Sequence, residues 1–240
     1  MICNVIATGS TGNAVTINEY LLVDCGVPFA TLEPYYKKLR LVLLTHIHSD
    51  HFNPATIKRL HFLRPALRFA VPPWLSQPMH DLGVDHGIMD IVIPSAGRGM
   101  IYQNGLLICN QRIPHDTDNC CWHIQQNRER AFYATDCGTL DGIEARNYDL
   151  YMVEANYDED ELAEREARKL SAGEFSYESR AATSHLSTKQ VREWLADNAE
   201  IGRSKVVYLH QHIEREESYG SLDSSLQQPD PSSENNSVGR

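Results

Sequence analysis

The sequence predicts an α+β fold, a four-layer αββα sandwich with two sheets inside and helices outside. Three observations carry this. Short β-rich segments separated by turn residues fill Met1 to Ile93, a second block of them runs from Met100 to Thr135, and helical patterns accompany both blocks. Hydrophobic residues make up 42% and charged residues 22% of the 240-residue chain, which suits a globular domain with a sizeable core.

In the first block, strands are expected over Ile2 to Ala7, Ala14 to Ile17, Tyr20 to Asp24 and Leu41 to Thr45, with Gly9, Gly12 and Gly26 in the turns between them. Asn53-Pro54 then opens a helix over Ala55 to Leu63, with Asn53 as N-cap and proline at the first helical position, where its missing N–H costs nothing. Further strands are read over Leu67 to Val71 and Ile88 to Ile93, joined by a connection rich in proline at Pro72, Pro73 and Pro78. The second block comprises Met100 to Tyr102, Leu106 to Arg112, Cys121 to Gln125 and Ala131 to Thr135.

Two helices follow. Over Asp158 to Leu170, acids crowd the first turn and Arg165, Arg168 and Lys169 the last, matching the helix dipole. At Ser187, S-T-K-Q forms a capping box with Gln190, and Val191, Trp194 and Leu195 share one face, so Trp194 is a core residue. Lys205 to Leu209 is the last strand. The domain is expected to span residues 1–216, followed by a disordered tail over 217–240, where little remains to bury.

Composition limits the possible functions. A formal net charge of -10 argues against a protein that coats nucleic acid through a broad basic surface, although bound cations can invert the potential at a site. No apolar run is long enough for a membrane span, and the start lacks the basic and apolar regions of a secretory signal. The six cysteines, without C-x-x-C spacing, read as reduced thiols of a cytoplasmic protein, most of them small buried hydrophobes.

Chemistry concentrates in Thr45 to His51, T-H-I-H-S-D-H, where His46, His48, Asp50 and His51 follow the apolar run Leu41 to Leu44. Imidazole nitrogens and carboxylate oxygens are the donors that zinc-type ions take. His46 and His48 share one side of an extended segment, while Asp50 and His51 point elsewhere, which suggests two ions. The alternative is a histidine-rich surface loop. Further donors end apolar runs of their own: His115 after Arg112-Ile-Pro, Asp136 after Ala-Phe-Tyr-Ala-Thr, and His210 after Val-Val-Tyr-Leu, with His212 the competitor of His210 for the last position. Cys137 is a weaker alternative ligand, since a hard carboxylate suits a bridging role better than a thiolate. His61, His80, His86 and His123 are read as structural or exposed.

The run H-x-H-x-D-H, followed by a lone His, a lone Asp and a last His, resembles the signature of the metallo-β-lactamase fold superfamily, over nearly all of Met1 to Glu216. Gly9-Ser10-Thr11-Gly12-Asn13 and Leu22-Val23-Asp24-Cys25-Gly26 resemble its early strands and its structural Asp, so Asp24 is expected to support the histidine loop. The resemblance implies a cofactor of two divalent metal ions, zinc foremost and manganese as alternative. His46, His48 and His115 would hold one, Asp50, His51 and His210 the other, and Asp136 would bridge them beside a hydroxide.

Within that superfamily the chain looks closest to the small YycJ-like and tRNase Z-like phosphodiesterase branch. Val153-Glu154-Ala155-Asn156-Tyr157 resembles the segment supplying a carboxylate in tRNase Z, and Ser184-His185-Leu186-Ser187 the segment supplying its proton-transfer histidine. His185 is therefore assigned as general acid and Glu154 as its partner, with Asp50 grouped among the catalytic residues. A structural reading makes Glu154 a buried strand-end residue and His185 a helix-entry residue. Asn156, Arg180 and His212 are candidate substrate contacts, and the stretch 171–184 a lid or a subunit contact.

Only twenty residues separate His115 from Asp136, too few for the arm with which tRNase Z grips tRNA. The expected partner is a phosphodiester, either nucleic acid ends or a small cyclic nucleotide, with no membrane; a homodimer is compatible with the sequence. Thiolester or lactone hydrolysis on the same site, and a non-enzymatic metal-binding protein, are the competing functions.

Overall fold

Leu21 and Val23 point into one apolar cluster and Leu22, between them, into another, so the third strand of the chain is covered on both faces. The same alternation governs the middle of the chain, where Ala131 and Tyr133 face one cluster and Phe132 and Ala134 a third. Period-two alternation between two apolar environments is what a sheet buried on both sides requires. The computed structural model describes residues 1–95, 99–102, 104–171 and 184–210.

Two six-stranded sheets result. The first contains β1 (Cys3–Ala7), β2 (Ala14–Ile17), β3 (Leu21–Val23), β4 (Leu41–Leu43), β5 (Arg68–Val71) and β6 (Met89–Ile91), in that spatial order. The second contains β7 (Met100–Ile101), β8 (Leu106–Ile113), β9 (Asn119–Gln126), β10 (Glu129–Ala134), β11 (Leu150–Glu154) and β12 (Lys205–Leu209), also neighbour to neighbour. Each sheet begins antiparallel and ends parallel: β3 to β6 run parallel in the first, and β10 to β12 in the second.

Val15, Leu21, Leu43, Ile108, Trp122, Tyr133 and Met152 fill the space between the sheets. Outside the first sheet, α1 (Phe29–Leu32), α2 (Pro54–Leu63) and α3 (Pro73–Asp81) pack Leu32, Ile57, Leu60, Leu75 and Met79 against Leu22, Val42 and Phe69. Outside the second, α5 (Thr188–Asn198) packs Val191 and Leu195 against Phe132, Tyr151 and Val153. The αββα layering expected from the sequence is therefore present.

Caps fall where the sequence puts them. The Asn53 side chain accepts from Thr56 N–H at the start of α2, and both halves of the capping box between Ser187 and Gln190 are formed at α5. α4 (Glu159–Ser171) carries Glu159, Asp160 and Glu161 in its first turn and Arg168 and Lys169 in its last.

Two expectations need correction. The proline-rich stretch is helix α3: Pro73 occupies its first turn, where no N–H is needed, and burial of Leu75 and Met79 offsets the backbone bond lost at Pro78. β4 stops at Leu43 instead of running to Thr45, because the Thr45 N–H donates to the Asp24 carboxylate and so leaves the strand ladder. The expected disordered tail lies outside the described residues. Among the described residues no helix is long and apolar enough to cross a membrane, and all six cysteines are free thiols.

Candidate metal centre

The site grows from the C-terminal ends of β3, β4, β10, β11 and β12. Asp24, Asp136 and His210 each follow a strand and take left-handed backbone angles, with φ of 59°, 54° and 55°. Non-glycine residues adopt this region at some cost, and where they do the chain turns sharply off the strand and leaves a side chain at the rim of the sheet.

Asp24 is fully buried and uses both oxygens. Oδ1 accepts from Thr45 N at 3.0 Å and Thr45 Oγ1 at 2.9 Å; Oδ2 accepts from Tyr133 OH at 2.9 Å and faces His51 Nδ1 at 2.7 Å. A carboxylate behind the imidazole fixes the tautomer and turns the other nitrogen outward. His51 Nε2 accordingly lies 2.8 Å from Asp136 Oδ2. Thr45 does the same for His46: its hydroxyl donates to Asp24, so it accepts from His46 Nδ1–H at 2.9 Å and leaves Nε2 facing Asp136 Oδ2 at 3.4 Å.

The histidine loop is clasped to the first turns of the chain. Asn13 N–H donates to Asp50 O at 2.6 Å and Cys25 N–H to His51 O at 2.9 Å. Gly26 makes this approach possible, since a Cβ there would lie 1.7 Å from Asp50 O. His46 and His48 sit in this loop and not on a strand, yet their rings remain adjacent, with centroids 4.8 Å apart. His115, after β8, brings Nε2 to 3.2 Å from His48 Nδ1.

Asp136 stands at the centre. Its Oδ2 faces His46 and His51, and its Oδ1 lies 2.9 Å from His210 Nδ1 and 3.6 Å from His185 Nδ1. Three donor groups, each within 4.8 Å, converge here: His46, His48, His115 and Asp136; Asp50, His51 and Asp136; and Asp136, Glu154, His185 and His210. Asp136 belongs to all three. His46, His48, Asp50, His51, His115, Asp136 and His210 each fall in at least one of them, but His210 groups with Glu154 and His185 and not with Asp50 and His51, and Cys137 is in none.

Electrostatics follow the packing. Burial would raise the Asp136 carboxyl, but its contacts with His210, His46 and His51 outweigh that and hold it far below the usual carboxylate range. Burial and the neighbouring His51 lower His46, and burial with His46 lowers His115 to about 4, so both rings are neutral, the form that ligates metal. His51 is raised well above its ordinary value: burial opposes its charge, but the Asp24 and Asp136 carboxylates prevail.

Glu154, the last residue of β11, is fully buried. Its Oε1 accepts from the main-chain N–H of Cys137 at 2.7 Å and of Leu186 at 3.3 Å, while Oε2 lies 3.0 Å from His185 Nδ1. Burial works against a charge on His185, yet the hydrogen bond and charge of Glu154 raise its pKa. The Cys137 thiol packs in the apolar cluster under α5 and belongs to none of the three donor groups; burial raises it well above the ordinary thiol value.

Asn156 is buried, and its N–H donates to Leu186 O, tying the His185 segment to the end of β11. Arg180 and His212 lie outside the described residues, as does most of the stretch 171–184. Asp116 is a residue that sequence reasoning missed: its Oδ1 lies 3.3 Å from His48 Nε2 and 3.2 Å from His115 Nε2. The adjacency His115-Asp116 was the available signal. Thr45, Asn13 and Tyr133, which brace the site, were likewise not singled out for that role.

Two stacked mixed sheets, helices outside, and His and Asp donors at the strand ends define the metallo-β-lactamase fold, and the protein adopts it. Residues 96–211 match the beta-lactamase superfamily domain. Among solved structures, the chain is similar to the metallo-beta-lactamase fold protein YhfI from Bacillus subtilis, with 18% identity and a TM-score of 0.63 over 88% of this chain and 87% of that one. Human tRNase Z, short form, gives 14% identity and a TM-score of 0.63, covering 88% and 92%. Zn(2+)-bound PqqB from Methylobacterium extorquens gives 12% and 0.63, covering 88% and 89%. No curated protein matches the sequence.

Proposed function

We propose that the protein is a metal-dependent phosphodiesterase with a binuclear centre, acting on nucleic acid ends or small cyclic nucleotides. The donor set fits divalent ions of the zinc type: His46 Nε2 and His115 Nδ1 are buried without a hydrogen bond, a costly state that a bound cation relieves. His46, His48 and His115 would hold one ion, Asp50, His51 and His210 the other, and Asp136 would lie between them. Bound there, such ions supply an acidified water as nucleophile and offset charge on the phosphoryl oxygens.

The observation that carries phosphodiester chemistry is the pair His185 and Glu154 beside this donor set. With Glu154 accepting from Nδ1, the protonated ring keeps its Nε2–H for an alkoxide leaving group, which departs from phosphorus far more slowly when it is not protonated. The raised pKa of His185 keeps that proton in place. A thiolate leaves without such help, so thiolester hydrolysis has no use for the pair. Human tRNase Z, whose fold this chain shares, supports the same direction.

Metal analysis of the purified protein, joined to a screen of bis-p-nitrophenyl phosphate, cyclic nucleotides and single- and double-stranded oligonucleotides, tests this. About two metals per chain and diester cleavage abolished in Asp136→Ala are expected. One metal per chain, or thiolester turnover without diester cleavage, would overturn it.

A further inference from the structure

A cavity of about 560 Å³ opens at the other end of the sandwich from the histidine loop. Leu41, Arg68 and Asp90 line it at the starts of β4 and β5 and within β6, whereas the donors follow the far ends of strands. Met100, Ile101, Tyr102 and Leu106 close it from the second sheet. Its size is that of small-molecule sites, and its lining pairs apolar and aromatic walls with a few polar groups, as such sites do.

The charges in it are organised. Asp90 Oδ2 accepts from Arg68 Nε at 2.9 Å and from Tyr102 OH at 2.8 Å, and Oδ1 pairs with Arg68 Nη2. Both oxygens of this acid are therefore engaged by one guanidinium and one hydroxyl, and its charge is cancelled. Arg40 is different. Its side chain is exposed at the cavity and makes no ion pair or hydrogen bond among the described residues, although the chain as a whole carries a net charge of -10. A guanidinium left open in the cavity that Tyr20 and Tyr102 also line offers a fork for an oxyanion next to aromatic side chains.

We infer that this cavity is a second ligand site, separate from the metal centre, for a small organic anion with a planar ring. Arg40 pairs with its phosphate or carboxylate, and Tyr20 and Tyr102 flank its ring. Arg68 and Asp90 hold Tyr102 in place and do not themselves supply the free charge.

Calorimetric titration of the metal-loaded protein with adenosine monophosphate, adenosine and inorganic phosphate separates the contributions of ring and charge. Saturable binding of the nucleotide is expected, with adenosine and phosphate each at least about tenfold weaker, because each offers half of the recognition. Arg40→Glu should weaken nucleotide binding by about tenfold or more, while Asp136→Ala leaves the same binding event unchanged. Arg40 is exposed, so this variant keeps the fold, which thermal unfolding verifies. Nucleotide binding that is lost in Asp136→Ala and retained in Arg40→Glu would assign it to the metal centre and sink the inference. So would the absence of saturable binding up to about 10 mM nucleotide, the range in which even weak sites fill.

Discussion

Glu154 Oε2 lies 3.0 Å from His185 Nδ1, while the other oxygen of the same carboxylate holds the main-chain N–H of Cys137, one residue beyond Asp136. One buried side chain thus sets both the ring that would carry the proton and the turn that presents the central carboxylate. Chemistry and scaffold are coupled at this residue, and the two can be separated by choice of substitution.

His185→Ala should lower kcat on cyclic nucleotides or oligonucleotides by about 100-fold to 10,000-fold, the range for loss of a general acid. On bis-p-nitrophenyl phosphate the loss should be far smaller, because p-nitrophenolate leaves without a proton. The measurement is kcat for both substrate types in both proteins; equal losses would mean that His185 does not act as the acid.

Glu154→Gln keeps an oxygen for the Cys137 and Leu186 N–H groups but removes the charge behind His185. It should fold normally and move the alkaline limb of the pH–rate profile, where the general acid loses its proton, to lower pH. Glu154→Ala strands two buried N–H donors at about 1–3 kcal/mol each and should lower unfolding stability accordingly. Urea denaturation beside the pH–rate profile distinguishes these outcomes.

Asp24→Ala tests the brace. Four polar partners converge on that buried carboxylate, so its removal should destabilise the protein by about 3–5 kcal/mol and cut metal affinity by about 10-fold to 100-fold through loss of His51 and Thr45 positioning. Chelator competition and denaturation give the two numbers. Asp116→Ala should produce the affinity loss alone: Asp116 faces His48 and His115 but its side chain is 47% exposed, so little folding energy depends on it.

How far the sequence reveals this arrangement depends on the range of the determinant. Asn53 and the Ser187–Gln190 box are local signals, and both helices start where these residues put them. The strands are readable because burial on both faces leaves short, near-continuous apolar runs such as Leu21–Val23, Leu41–Leu43 and Leu150–Val153. Helix α3 is not readable, because proline statistics argue against it and only tertiary burial of Leu75 and Met79 overrides them. His46, Asp136 and His210 can be picked out because each ends an apolar run, a pattern visible along the chain. The support of the site is another matter: Tyr133 lies 109 residues from the Asp24 it donates to, and Asp116 meets His48 across 68 positions, pairings that no local pattern encodes.

His123 provides a pH test away from the metal centre. It lies on β9 with Nδ1 3.0 Å from Tyr148 OH, and burial lowers its pKa from 6.5 to about 4. The unfolded chain takes up a proton below pH 6.5, whereas the folded chain does so only below about 4. A depressed histidine therefore binds fewer protons in the native state, and its contribution to stability, complete above pH 6.5, is lost as pH falls toward about 4 and is constant below that. The full loss is about 3 kcal/mol at most, from 1.36 kcal/mol for each pKa unit. His123→Phe keeps the ring packing against Phe132 and removes the titration. Urea denaturation of both proteins at about pH 7 and about pH 4.5, at fixed metal content, should show the wild type losing about 2–3 kcal/mol more than the variant over that interval. Parallel losses in the two proteins would mean that His123 is not held neutral by the fold.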